Sequence, residues 1–208
     1  MTDVKELVER GYDVVADRYL QARVELARDD FLTDLAVGLP PSAVVLDAGC
    51  GAGVPVAKCL SEKFRVVGAD ISEKQVKLAR DLVPQATFCR MDMTALGFRN
   101  GSFDAICSLY AIFHVPRSDH PGIFESFHRL LKPAGRILVS LGCGDMEESV
   151  ERDWFGAPMY WSSFRPEKSL ETIRNAGFEV VWSKIVSYPD IAGQGDVSHL
   201  FVLARKRP

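Results

Sequence analysis

The sequence predicts an α/β protein, a doubly wound and mostly parallel sheet with helices on both faces. Three observations predict it. Short apolar runs at 43–46, 65–69, 103–108 and 136–140 have the look of strands buried on both sides. Segments with helical periodicity alternate with them. Acids and glycines gather where the first two runs end. The length of 208 residues, with 47% hydrophobic and 25% charged residues, suits a single domain over 1–208 with a substantial core and excludes a disordered chain.

The elements follow in order. Leu7, Val8, Tyr12, Val15, Ala16 and Tyr19 recur at three- and four-residue steps, as one buried helical face does. Leu26, Phe31, Leu32 and Leu35 suggest a second helix ending near Gly38, so 1–40 reads as an N-terminal helical cap. The strand at 43–46 leads through a glycine-rich turn into a helix near 54–61. The strand at 65–69 ends at Asp70, and Ser72 caps the next helix. Gln75 completes a capping-box pattern, with Ile71 and Val76 at staple positions. Strands follow at 86–89 and 103–108. Ile123, Phe124, Phe127, Leu130 and Leu131 mark a helix between 120 and 131, and Lys132-Pro133-Ala134-Gly135 turns it into the strand at 136–140. A helix at 166–176 and strands near 179–185 and 199–205 close the chain. The last two strands have no helix between them, so one runs antiparallel, which makes seven strands in all. Residues 142–164 read as an insertion.

Composition narrows the function. A net charge of -3 gives no basic field, so nucleic acid is not expected as the main partner. No apolar run nears the roughly 18 residues that cross a bilayer, so no membrane is expected. Residues 1–6 mix charges and lack the apolar core of a signal peptide. The 5 cysteines form no CxxC pair, and free thiols in a reducing cytoplasm are the simplest reading. No HExxH, no His/Cys cluster and no acid pair with metal spacing appears, so no metal is implied.

The strongest signal is Asp47-Ala48-Gly49-Cys50-Gly51-Ala52-Gly53 after a buried strand. Glycines there let the backbone approach a ligand at the carboxyl edge of a sheet. Asp70, ending the next strand, can accept both hydroxyl protons of a ribose; a helix-capping acid is its other reading. The dinucleotide pattern GxGxxG would need glycine at 54, where the chain has Val54, and an acid just before the turn suits an ammonium better than a pyrophosphate. No YxxxK dyad of a short-chain dehydrogenase occurs.

At these residues the chain resembles the class I S-adenosylmethionine-dependent methyltransferases, of the type 11/25-like, small-molecule branch. The acid-GxGxG motif is matched at 47–53. Asp70-Ile71, Asp92-Met93, the run Phe103-Asp104-Ala105-Ile106-Cys107-Ser108 and Leu131-Lys132-Pro133-Ala134-Gly135 match later motifs in order, with Ala134 in place of a glycine. The resemblance covers about 12–141 and implies a Rossmann-like seven-stranded fold binding S-adenosylmethionine. It further implies that Asp47, Ala48, Gly49, Cys50, Gly51 and Gly53 lie at the methionine part and that Asp70 and Ile71 hold the ribose. Asp92 and Met93 would hold the adenine, and Ser108 and Leu109 would face the amino-acid end. Tyr12 and Tyr19 would close over the carboxylate, or else pack in the core, with Arg23 a weaker candidate for the same group.

A sulfonium methyl is ready for in-line displacement, so the protein must align an acceptor, exclude water and, for some acceptors, remove a proton. His114, after the fourth strand, is the candidate base; its other reading is a loop or cofactor contact. The insertion carries Trp154, Phe155, Tyr160, Trp161 and Phe164, which can roof an acceptor pocket, form a contact between copies of the chain, or pack as a sub-core. The expected function is methyl transfer to a small molecule. The rivals are a tRNA or rRNA methyltransferase, for which no basic face or Asn-Pro-Pro-Tyr motif is visible, and a non-catalytic S-adenosylmethionine-binding regulator.

Overall fold

The computed structural model describes residues 3–25, 31–193 and 195–207, with side chains 23–25 outside the description. Leu26 of the expected second helix and the side chain of Arg23 therefore lie outside the described residues. In chain order the elements are α1 (Val4–Glu25), α2 (Phe31–Ala36), β1 (Val44–Ala48), α3 (Val56–Ser61), β2 (Arg65–Asp70), α4 (Glu73–Leu82), β3 (Thr87–Arg90), β4 (Phe103–Ser108), α5 (His120–Leu130), β5 (Leu131–Gly142), β6 (Met146–Trp154), β7 (Ala157–Ser163), α6 (Pro166–Asn175), β8 (Phe178–Pro189) and β9 (Asp196–Lys206).

Seven strands form one sheet in the order β3-β2-β1-β4-β5-β9-β8, parallel except for β9, which runs antiparallel to both neighbours. Alternation along the strands divides the core. Leu46, Ile106, Ile137, Val139 and Val202 face α5 and α6, where Phe124, Phe127 and Ile173 are buried. Val45, Ala105, Cys107, Leu138 and Phe201 face α2, α3 and α4. Both faces are apolar because both are covered, which is why the strands read as unbroken apolar runs. The two N-terminal helices expected as one cap part company. Leu32 and Leu35 of α2 pack on a sheet face, while α1 crosses the carboxyl edge of the sheet.

Two of the matched motifs form a single structural device. Asp104 of β4 accepts from the Val44 N–H of β1 at 2.8 Å and from the Lys132 ammonium at 2.8 Å, joining β1, β4 and the turn into β5. Burial alone would raise this carboxyl, but Lys132 and the Val44 amide hold it below the usual range. The turn expected at 132–135 is a bulge inside β5, and Ala134 sits there at φ 60°, in the left-handed region.

The insertion is a hairpin, β6 paired with β7, which the sequence analysis left unassigned. Strand β6 has exposed Glu147, Glu148, Arg152 and Asp153, so it lacks the apolar alternation that marks a strand. Its two-residue turn places Phe155 at φ 54° and Gly156 at φ 95°, without the usual Asn-Gly or Asp-Gly signal. Buried Trp154, Met159 and Tyr160 pack with Val8 and Val15 of α1. The helix approaches closely at Gly11, where an added Cβ would lie 2.8 Å from the Pro158 carbonyl oxygen and 2.9 Å from Met159 Cε. The opposite stripe of α1 is polar at every fourth residue. Lys5 meets Asp92, Glu9 meets Arg90, Asp13 accepts from the Ser72 hydroxyl, and Asp17 meets Lys74.

Helix α4 begins as expected, with Ser72 Oγ accepting from the Gln75 N–H at 3.1 Å. The reciprocal half of the capping box is taken over by Asp70, whose Oδ1 accepts from the Ser72 N–H at 2.9 Å. The Gln75 amide lies buried without a hydrogen-bond partner, and Ile71 packs with the cluster under α1.

Two stability predictions follow from these contacts. Gly11→Ala gains about 1 kcal/mol of helix propensity but pushes a methyl into a backbone carbonyl, an overpacking of about 1–3 kcal/mol. The melting temperature should fall, and a rise would show that α1 and β7 are less tightly apposed than described. Ala134→Gly relieves a left-handed alanine and should stabilise the fold by about 0.5–1 kcal/mol in urea unfolding.

Candidate cofactor cleft and acceptor cavity

The sheet reverses direction between β1 and β4, and there a parallel α/β sheet opens a crevice. The cleft at this point, about 1030 Å³ including its mouth, is roofed by α1. Of the residues expected at a cofactor, Tyr12, Tyr19, Asp47, Gly49, Cys50, Gly51, Asp70, Ile71, Asp92, Met93 and Leu109 line it, and so does His114, the candidate base. Ala48, Gly53 and Ser108 are not among its lining. Ala48 is in the core, and Gly53, at φ 74°, lies against Phe88 and Val83. The Ser108 hydroxyl is buried beside Met93 Sδ at 3.9 Å.

The glycine turn is set by close approach. Gly49 is at φ 79°, and an added Cβ would lie 2.3 Å from the Ala111 Cβ in the loop after β4. At Gly51, φ 52°, an added Cβ would have the Gln75 Oε1 at 3.8 Å as its nearest neighbour, so the space beside the turn is open. Asp47 is buried at the end of β1. The Asp70 carboxylate holds the turn through its Oδ2, which accepts from the Gly51 N–H at 2.8 Å. Burial raises its pKa from 3.8 to about 6, against the opposing pull of the Ser72 and Gly51 amides. Burial would raise Asp92 as well, but the Lys5 ammonium at 2.6 Å and the N–H and hydroxyl of Thr94 bring it below the usual range.

His114 ends a short 3-10 turn (Ile112–His114) and is buried. Its Nδ1 lies 2.9 Å from the Tyr160 carbonyl oxygen and its Nε2 2.8 Å from the Tyr12 hydroxyl. Burial pushes its pKa down to about 4. Tyr12, expected over a carboxylate, thus directs its hydroxyl to His114, and its ring packs edge-on against Tyr19 and Trp154.

A second and larger cavity, about 2530 Å³ including its mouth, shares Tyr12, Tyr19, Tyr110 and His114 with the cleft, and of the insertion aromatics expected as a pocket roof Trp154 and Trp161 line it. Its walls come from segments far apart in the chain: Phe31, Phe113, Trp154, Trp161, Tyr188 and Phe201. Trp161 stacks on Phe113 with ring centroids 5.6 Å apart. The aromatic insertion therefore contributes both to a sub-core, through Trp154 and Tyr160, and to a cavity wall, through Trp161. Tyr110 stands between cleft and cavity at φ 60°, its N–H donating to Ser140 Oγ at 2.6 Å. A strained non-glycine residue directly after the fourth strand is the kind of feature that accompanies function, but only backbone angles show it. Lys5 and Thr94 also line the cleft and carry no motif. Among the described residues no group of three or more His, Cys, Asp or Glu could hold a metal, and no helix is long and apolar enough to cross a membrane.

The residues present fit S-adenosylmethionine. The turn at Gly51 leaves room for its amino-acid part, buried Asp47 and part-buried Asp70 stand at the ends of the first two strands, and apolar Ile71 and Met93 line the wall with Asp70 and Asp92.

Comparison with known proteins agrees. A family model described as a methyltransferase domain matches residues 45–135. Cycloartenol-C-24-methyltransferase of Arabidopsis thaliana is 28% identical over 177 residues, 78% of this chain and 52% of that protein. The 2-methyl-6-phytyl-1,4-hydroquinone methyltransferase of Synechocystis sp. is 34% identical over 135 residues, 62% of this chain and 42% of that protein. The chain spans about half the length of the curated relatives it matches. Magnesium protoporphyrin IX methyltransferase from Synechocystis PCC 6803, crystallised with bound S-adenosylmethionine, shares the fold with a TM-score of 0.76 at 19% identity, over 100% of this chain and 99% of that one. Residues 45–135, from the glycine turn to the Lys132 bulge, thus match a methyltransferase-domain family, within a fold shared end to end with a solved S-adenosylmethionine-binding methyltransferase.

Proposed function

We propose that the protein transfers a methyl group from S-adenosylmethionine to a small-molecule acceptor held in the aromatic cavity. The observation that carries this is the shared wall: one cavity holds the residues of the cofactor motifs, the next is lined by aromatic rings, and the two meet at Tyr12, Tyr110 and His114. A cavity walled by aromatic rings, with no Lys or Arg among its described lining residues, suits a small molecule better than a folded RNA, which needs a basic face. The relatives named for a sterol precursor, a phytyl hydroquinone and a magnesium porphyrin support the same class.

When bound, S-adenosylmethionine supplies a methyl activated on sulfur. The chain's own residues bind and orient it. Asp47, at the end of β1, takes the ammonium. Each Asp70 oxygen accepts one backbone N–H and retains capacity for a ribose hydroxyl. Asp92, kept ionised by Lys5, takes the adenine amino group, with Met93 and Ile71 against the rings. Tyr19 and α1 cover the cleft and exclude water. The described elements form one domain, with α1 and the hairpin as its cover. A cytoplasmic location remains the reading of its chemistry: all five cysteines are free thiols.

Labelled methyl transfer into a pool of small metabolites, compared with binding alone, tests the activity. Binding without any transfer would favour a regulator. Two further outcomes concern Asp70. Asp70→Ala should weaken cofactor binding in calorimetry by about 1.5–3 kcal/mol, the scale of charge-assisted hydrogen bonds. Because its folded pKa is raised to about 6, the native state holds the proton more tightly than the unfolded chain. Asp70 alone therefore costs stability as pH rises from about 4 to 6, while buried His114, pushed down to about 4, gives the opposite slope, so the loss should appear as the difference between the ligand-free protein and its Asp70→Asn variant. Ribose hydroxyls need the ionised form, so cofactor affinity should be roughly tenfold weaker at pH 5 than at pH 7. A pH-independent affinity would remove Asp70 from ribose binding.

A further inference from the structure

The cavity and the hydrogen bonds at its opening carry a further reading, which rests on the methyl transfer proposed above and adds the acceptor's class and the fate of its proton. We propose that the cavity takes an uncharged, mainly apolar ring molecule bearing a phenolic or enolic hydroxyl, and that Tyr12 and His114 act in series to take up that hydroxyl's proton.

The acceptor class follows from the walls. Rings of Phe113, Trp161, Tyr188 and Phe201 line a space large enough for a fused ring system, and they favour flat apolar faces. Rings of this kind favour an uncharged molecule over an anion, whose charge would have to be desolvated against them.

The proton route follows from donor and acceptor logic. The Tyr160 carbonyl oxygen can only accept, so the 2.9 Å contact requires the proton on His114 Nδ1. The buried imidazole is neutral, so Nε2 presents its lone pair, and the 2.8 Å contact is the Tyr12 hydroxyl donating to it. Tyr12 Oη is then set to receive a proton as it gives up its own. Both side chains line the cleft and the cavity, so they stand where the two meet. In the step, the acceptor O–H bond breaks and its proton passes to Tyr12 Oη, while the Tyr12 proton passes to His114 Nε2. The acceptor oxygen's electron pair forms the new O–C bond as the C–S bond of the methyl donor breaks. A sulfonium charge disappears and an imidazolium charge appears, so the buried net charge is unchanged.

The test uses the intact chain with 2-naphthol, 2-naphthoate and a nitro-substituted naphthol already ionised at pH 8. In the absence of cofactor, 2-naphthol should quench emission of the cavity tryptophans at a concentration at least about tenfold lower than 2-naphthoate, whose charge must be desolvated. With a labelled methyl donor the protein should methylate 2-naphthol. Tyr12→Phe keeps the ring packed on Tyr19 and Trp154 but removes the relay. It should cut turnover of 2-naphthol by about a hundredfold, within the usual range for general base catalysis, and that of the ionised naphthol by at most about tenfold. His114→Gln should rank the two substrates in the same way if Tyr12→Phe melts too low to assay. Equal binding of naphthol and naphthoate overturns the acceptor class. Equal losses on the two naphthols overturn the relay, since a structural role would not distinguish them. A protein that binds S-adenosylmethionine in calorimetry yet methylates neither naphthol overturns this inference alone. Failure to bind S-adenosylmethionine overturns the methyl-transfer reading instead.

Discussion

The loops leaving β1 and β4 touch at Gly49, and the rest of the site depends on that contact. These adjacent strands send the chain away in opposite directions, which opens a crevice between them. Its depth is set by how near the two loops come. Any side chain at Gly49 would stand 2.3 Å from the Ala111 Cβ and push the loop after β4 outward. That loop carries Tyr110, Phe113 and His114, the residues that divide cleft from cavity. A backbone requirement at one glycine thus fixes the position of the side chains nearest the chemistry.

A second dependence runs through α1, which has two working faces. The apolar face sits on the hairpin and needs Gly11 to come close enough. The other face holds Lys5, Glu9, Asp13 and Asp17 against the ends of β2, α4 and β3. The polar contacts are partly exposed and each is weak, of order 1 kcal/mol or less. Burial of Val8, Val15 and Tyr160 is the stronger anchor, so α1 is held more firmly to the hairpin than to the sheet.

The fold was legible in the sequence because a sheet covered on both faces needs unbroken apolar strands, and all seven expected strands are present. The acids at 47, 70 and 92 were legible because they stand at or just beyond strand ends, where topology alone places a side chain at the crevice. The hairpin was not, since β6 is charged and exposed and its turn uses Phe155-Gly156. Cavity walls were not legible either: Phe31, Trp161, Tyr188 and Phe201 meet only after the sheet, α2 and the hairpin assemble. The motifs at Asp104 and Lys132 invite a functional reading by their company, yet their bond is a structural clamp between β1, β4 and β5.

Tyr12 and Tyr19 of α1 line both compartments, and the same apolar side of the helix packs on the hairpin, so cleft and cavity share one wall. The hairpin's Trp161 closes the aromatic cavity, and a molecule stacked there holds the hairpin and, through it, the helix. Beside the β3 end of the sheet, Lys5 and Glu9 tie the helix to Asp92 and Arg90. Because Tyr12 and Tyr19 of one helix border both spaces, a substitution on α1 reshapes cleft and cavity together.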